Sequence, residues 1–437
     1  MTHHNITKLS TYLRLRQRLL AHVAQTVVAH RLFAPASEYM WKMRLRQVTS
    51  IFIQRKYCAR LISLSFFSVV ATAFLSPEVW DSLLSKAVSS TSHEREFDPQ
   101  TTWPEECKEK CCAKSLQIIT QTRYAVPNLV CFEVSFGEDA KLRYAHLTGF
   151  NDVFTHYLSM ARQFLLSASA FASFSGEVVW RIEDDATIDP SIQAIFTAAR
   201  VATVGHSVHS ERGDVNLYTV LTPNFHFIEH DGYSHLSKIA AASARPLETL
   251  QPKVFWAGST TGQPCKDVEP CEKTCRSLQR YRLVRLSKKI DWLSCSLTKA
   301  IQWCNTDELE LRNLGMFSDA ADEIEWLQYR GVLDIDGNVD AWGARWRYAT
   351  NSVVFKVESN YVSHYSHALI DGVHFIQISE TLGDLEEKTA IIANNDSHTL
   401  SYLTNITRNA RQTINQFTLQ SAVEKTGRAL KNFFSAK

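Results

Sequence analysis

Residues 154–174 read FTHYLSMARQFLLSASAFASF, with apolar side chains three and four apart, a spacing that predicts a helix with one buried face. Residues 177–182 (EVVWRI) follow as a short apolar run, the mark of a buried strand, and lead into Glu183-Asp184-Asp185. Similar runs ended by glycine or polar residues recur downstream. Residues 225–228 (FHFI) read as a strand ending at Asp231-Gly232, and residues 253–257 (KVFWA) as one opening onto Gly258-Ser259-Thr260-Thr261-Gly262. Residues 331–335 (GVLDI) and 352–356 (SVVFK) are strands separated by a helix-like segment, and 373–378 (VHFIQI) is a further strand. Asp384 opens an amphipathic helix (DLEEKTAIIA), and a long C-terminal helix is expected from about 403 to 434. Short strands alternating with helices predict an α/β fold with mainly parallel sheets.

The first hundred residues follow a different pattern. Between residues 1 and 60 the sole acid is Glu38, set against eleven lysines and arginines. That basic head runs into an uncharged stretch at 61–75 (LISLSFFSVVATAFL), closed by Ser76-Pro77. The run is short for a span, but Lys56 and Arg60 can snorkel, and cationic residues on one side only fit the positive-inside bias. We expect a cytosolic segment at 1–60, a transmembrane anchor at 61–76 and a polar stem at 77–105. An arginine-rich, acid-poor N-terminus also fits a mitochondrial transit peptide, against which the cysteines weigh. Nine of the ten cysteines lie beyond the anchor, none with the paired spacing of a zinc site, so disulfides in an oxidising lumen are expected. Sequons at Asn395 and Asn405 agree with a luminal body in the endoplasmic reticulum or Golgi. Hydrophobic content of 45% and charged content of 21% are those of a globular protein, and a net charge of +2 makes no case for nucleic acid.

Three segments could carry chemistry. Glu183-Asp184-Asp185 sits at the end of a predicted strand, where α/β proteins keep their ligands. The three could hold Mn²⁺ against a diphosphate, or one aspartate could take a proton from a hydroxyl; a turn with a helix cap explains them equally well. Gly258 to Gly262 supplies glycine, small hydroxyls and free N–H groups, as a diphosphate requires. Asp334-Ile335-Asp336-Gly337-Asn338 is followed by Trp342, Arg345 and Arg347, and either arginine could clamp a diphosphate.

Together these segments resemble glycosyltransferase family 90, which includes protein O-glucosyltransferases and fungal β-xylosyltransferases. YRGVLDIDGN, WRYATNSVVFKVES, HALIDGVHFIQI and LGDLEEK, between residues 329 and 388, occur in that family's order. Residues 255–262 resemble its phosphate loop, with Ala257 where the family has arginine, and Glu183-Asp184-Asp185 resembles the segment whose last aspartate is its catalytic base. The resemblance implies a GT-B-like pair of Rossmann-type lobes with a cleft between them: an acceptor-side lobe at 106–250 and a nucleotide-sugar lobe at 251–437 with a closing C-terminal helix. It implies an inverting transfer of glucose or xylose from a UDP-sugar to a glycan or protein hydroxyl, without a metal or other cofactor. Asp185 would be the base, and Gly258, Ser259, Thr260, Thr261 and Arg345 or Arg347 would hold the donor. Glu183, Asp184 and Asp231 would stand on the acceptor side. The alternatives are a metal-dependent GT-A-type transferase and an inactive sugar-binding relative.

Overall fold

A computed structural model describes residues 111–436 apart from 137–140, 263–273 and 305–307. Residues Thr102–Lys437 form one compact unit. The expected cytosolic segment, anchor and stem lie outside the described residues, as do Cys58, Cys107, Cys265 and Cys271. Among the described residues no helix is long and apolar enough to cross a membrane.

The first sheet contains β1 (Leu129–Ser135), β2 (Lys141–His146), β3 (Gly176–Arg181), β4 (Ala202–Gly205) and β6 (Val220–Leu221), in the order β2-β1-β3-β4-β6. β1 runs antiparallel to β2 and β3, whereas β3, β4 and β6 are parallel. Successive side chains point to opposite faces, and because both sets are apolar the sheet is covered on both faces. Val130, Phe132, Val178 and Trp180 face one core, built with α2 (Thr155–Ala172) and a C-terminal helix. Leu129, Cys131 and Val179 face the other, built with α1 (Ala113–Thr122) and α3 (Pro190–Ala198).

The second sheet contains β7 (Gln251–Gly258), β8 (Leu293–Leu297), β9 (Tyr329–Asp334), β10 (Val353–Val357) and β12 (Ile376–Ile378). Its order is β12-β10-β9-β7-β8 and every pairing is parallel. A two-stranded ribbon, β5 (Val208–His209) against β11 (Tyr361–Val362), joins segments from the two halves. The expected α/β architecture with parallel strands is present, with an antiparallel edge in the first sheet.

Three sequence readings are corrected. Residues 225–228 are helical, not extended: α4 (Phe225–Glu229) is capped by Asn224, whose side chain accepts from the Phe227 N–H at 2.9 Å. The strand expected over 373–378 shortens to β12, because the chain turns at Gly372 with φ +72°. The single C-terminal helix is two. α9 (Ser397–Ile414) buries Leu403, Ile406 and Ala410 in the core of the second sheet. α10 (Leu419–Ser435) buries Ala422, Val423 and Leu430 against the first. Thr418 and Ser421 cap α10 reciprocally, which starts a new helix where the apolar periodicity alone suggested continuation. Among the described residues two disulfides, Cys112–Cys131 and Cys275–Cys304, are formed, and Cys295 is a free, buried thiol.

Candidate active site

Strand order locates the place where a ligand can enter. β7 and β9 are neighbours, and the chain leaves β7 for β8 on one side of the sheet and β9 for β10 on the other. At such a switch point a crevice opens beyond the carboxyl ends of the strands. Here it is bounded by residues 259–262 after β7 and 335–339 after β9. A Cβ at Gly337 would stand 2.9 Å from Thr261 Oγ1 and 3.1 Å from Arg280 Nη2, so a glycine lets the two loops approach.

Arg280, on α5 (Gln279–Ser287), staples those loops together. Its guanidinium donates to the carbonyls of Ser259 at 3.1 Å, Ile335 at 3.1 Å and Asp336 at 2.7 Å, and to Thr261 Oγ1 at 2.5 Å. Its plane lies over Trp256 at 5.5 Å, and burial pushes its pKa down to about 10. Sequence reasoning missed this residue. Beneath the loops, buried Asp334 pairs with Lys356 Nζ at 3.3 Å and Arg347 Nη1 at 3.5 Å.

The first sheet brings its carboxylates to the same crevice from β3. A cleft of about 290 Å³ is lined by Phe154, Glu183, Asp184, Asp185, Arg212, Asn338, Val339 and Tyr361. The three acids are not equivalent. Glu183 is tied to the Arg181 guanidinium and accepts from Asn128 Nδ2 at 2.7 Å; burial nevertheless raises its pKa. Asp185 accepts from the Thr187 N–H at 3.0 Å and from the Thr187 hydroxyl, and its other oxygen meets Arg212 Nη2 at 2.7 Å. Asp184 accepts from Asn338 Nδ2 at 3.4 Å, across the cleft. Burial raises the Asp184 pKa, the Asn338 contact lowers it, and the Asp185 charge raises it further. Asp184 is therefore the one carboxylate of the three held by a neutral donor alone among the contacts described.

The other expected site residues separate into two groups. Gly258, Ser259 and Thr261 reach the crevice edge at the end of β7. Thr260 points inward: it is fully buried, its hydroxyl donates to the Ile301 carbonyl at 2.6 Å, and its N–H to that of Lys299 at 3.0 Å. Its expected donor contact is corrected to a structural one. Arg345 is likewise drawn away, donating to Ser237 Oγ at 2.7 Å and to the carbonyls of Ile414 and Phe417 at 3.3 and 3.1 Å. Arg347, two residues on and facing the other way, lies beside Asp334 and stacks on Trp326 at 4.5 Å. Asp231, with φ +49°, accepts from Ser234 Oγ at 2.8 Å and does not line the cleft. Arg212 and Tyr361 do line it and carried no local sequence signal, whereas Asn338 ends the DIDGN segment that the sequence had marked. A larger hollow of about 530 Å³ between residues 242–251 and 324–328 offers no carboxylate, and its one charged side chain is that of Arg245.

A family model described as Glycosyl transferase family 90 matches residues 234–422, bearing out the resemblance carried by the motifs. Protein O-glucosyltransferase 3 of Mus musculus is 30% identical over 121 residues, 27% of this chain. The match spans 23% of that relative's length. Among solved structures, a glycosyltransferase from Rickettsia africae aligns over 57% of this chain and 69% of its own at 13% identity, with TM-score 0.35. The pneumococcal O-GlcNAc transferase solved with UDP and GlcNAc aligns over 57% of this chain and 56% of its own at 10% identity, with TM-score 0.32. The C-terminal domain of a Francisella tularensis group 1 glycosyl transferase covers 37% of this chain and 83% of its own at 12% identity, with TM-score 0.26.

Proposed function

We propose that this chain, whose residues 234–422 match glycosyltransferase family 90, is an inverting glycosyltransferase that moves glucose or xylose from a UDP-sugar to a hydroxyl of a glycan or protein. The observation that carries the reading is the meeting of β3 carboxylates with the β7–β9 crevice, through the Asp184–Asn338 contact at 3.4 Å. In this reading the two sheets belong to the two lobes of a GT-B arrangement, with the nucleotide on the second and the acceptor on the first. The name of the mouse relative favours glucose and a protein acceptor.

A carboxylate of the β3 end takes the acceptor's hydroxyl proton. The freed oxygen pair forms the new bond to the anomeric carbon while the bond from that carbon to the diphosphate oxygen breaks, and UDP leaves from the opposite face. N–H groups of Ser259 and Thr261, with Arg347 at the end of β9, stabilise the departing charge without a cation. The family motif assigns the base to Asp185. A specific observation favours Asp184: Arg212 holds Asp185 at 2.7 Å, whereas Asp184 meets no cation among the contacts described and burial raises its pKa.

The body is proposed to be luminal, anchored by residues 61–76, which accords with two disulfides and with sequons at Asn395 and Asn405 that are both exposed. Protease protection of sealed microsomes with tagged ends tests this topology; a protected N-terminal tag and a digested body would reverse it. The chemistry is tested by UDP release from UDP-glucose and UDP-xylose. Release that persists in EDTA is expected. Loss on chelation with recovery in Mn²⁺ would favour the GT-A alternative, and no release from any UDP-sugar the inactive relative.

A further inference from the structure

We propose that His226, Glu229 and His230, with His156 facing them from α2, form a site for a divalent transition metal of the zinc class at α4. Ligand atoms of the first three lie within 4.8 Å of one another. His230 N–H donates to the His226 carbonyl at 3.1 Å, so the helical turn continues through His230 and the two imidazoles share a face, four residues apart. Glu229 sits between them, with Oε2 3.8 Å from His226 Nδ1 and Oε1 3.2 Å from His156 Nε2. Three imidazoles and one carboxylate are the nitrogen and oxygen donors that four-coordinate zinc takes.

The ligands are held in position before any ion arrives. The His226 ring stacks on Trp342 at 3.8 Å, and the His230 ring on Tyr233 at 5.6 Å. Tyr157 stacks on Phe225 at 4.7 Å, which locks α2 to α4 and fixes where His156 can reach. The alternative grouping of Cys112, Cys131 and Glu177 offers no thiolate, because its cysteines are joined in a disulfide. None of the four proposed ligands lines the cleft.

The test is zinc binding by the full chain, stripped with EDTA, in competition with a colorimetric zinc chelator. One ion per chain is expected. His230→Ala, Glu229→Gln and His156→Ala should each lose at least the ~10–100-fold in affinity that even outer-shell partners cost. Unchanged thermal midpoints without metal establish that the variants fold, and His230→Ala should release UDP at the wild-type rate. Absence of saturable binding, or affinity unaltered in His230→Ala and Glu229→Gln, overturns the proposal; an ion held by thiols elsewhere would give the latter result.

Discussion

The carboxyl end of β3 and the carboxyl ends of β7 and β9 meet at one crevice but are built in opposite ways. Beyond β7 and β9, one buried guanidinium bonds to three carbonyls and a hydroxyl and leaves the loops little freedom. Beyond β3, three consecutive acids crowd together, and Asp184 meets only a neutral donor at 3.4 Å among the contacts described. A satisfied network positions a ligand. A buried carboxylate without a cation is destabilised as an anion and so accepts a proton more readily. On the proposed reading, donor binding would fall to the second sheet and proton transfer to the first.

The sharpest way to break this division is to neutralise each aspartate in turn. Asp184→Asn should lower turnover by roughly 10²–10⁴-fold, the worth of a positioned base, and Asp185→Asn by less. The reverse order returns the role to Asp185. The raised Asp184 pKa also fixes a sign. The native state holds this proton to higher pH than the unfolded chain does, so Asp184 lowers stability as pH rises through its native pKa. Asp184→Asn should therefore unfold at a higher temperature than wild type at neutral pH while losing activity, and the gain should vanish in acid.

The second-sheet end should respond in stability. Arg280→Ala leaves three carbonyls without their described donor and should cost on the order of 3 kcal/mol in a denaturant titration, at unchanged m-value. Gly337→Ala places a methyl 2.9 Å from Thr261 Oγ1 and should weaken donor binding by ~1–3 kcal/mol through forced separation of the loops. The smallest effect belongs to Arg212→Ala. Its side chain is 55% exposed, so the loss of stability should stay within ~0.2–1 kcal/mol by thermal unfolding, and a larger loss would mean that the pair is structural.

Much of this was legible in the chain itself, for physical reasons that also explain the failures. β3, β7, β9 and β10 are apolar runs bounded by polar or glycine residues, because each is covered on both faces. β4 and β6, four and two residues long, are too short to show any period. FHFI alternates like a strand, and the cap from Asn224 decides otherwise. Arg345 and Arg347 could not be told apart by composition. Placed two apart on a helical turn, they point to different neighbours, and only Arg347 stays near the crevice. Arg280 lies among other basic residues of its helix and becomes visible only once β7 and β9 are adjacent.

The division of labour is tested most directly by thermal unfolding of the intact chain with and without UDP-glucose or UDP-xylose. At about 100 times its dissociation constant the donor should add ~2.7 kcal/mol of stability. The account requires that shift in the wild type and in Asp184→Asn alike, and its reduction in Gly337→Ala. A shift that vanishes in Asp184→Asn and survives in Gly337→Ala would place the donor on the β3 end and contradict it.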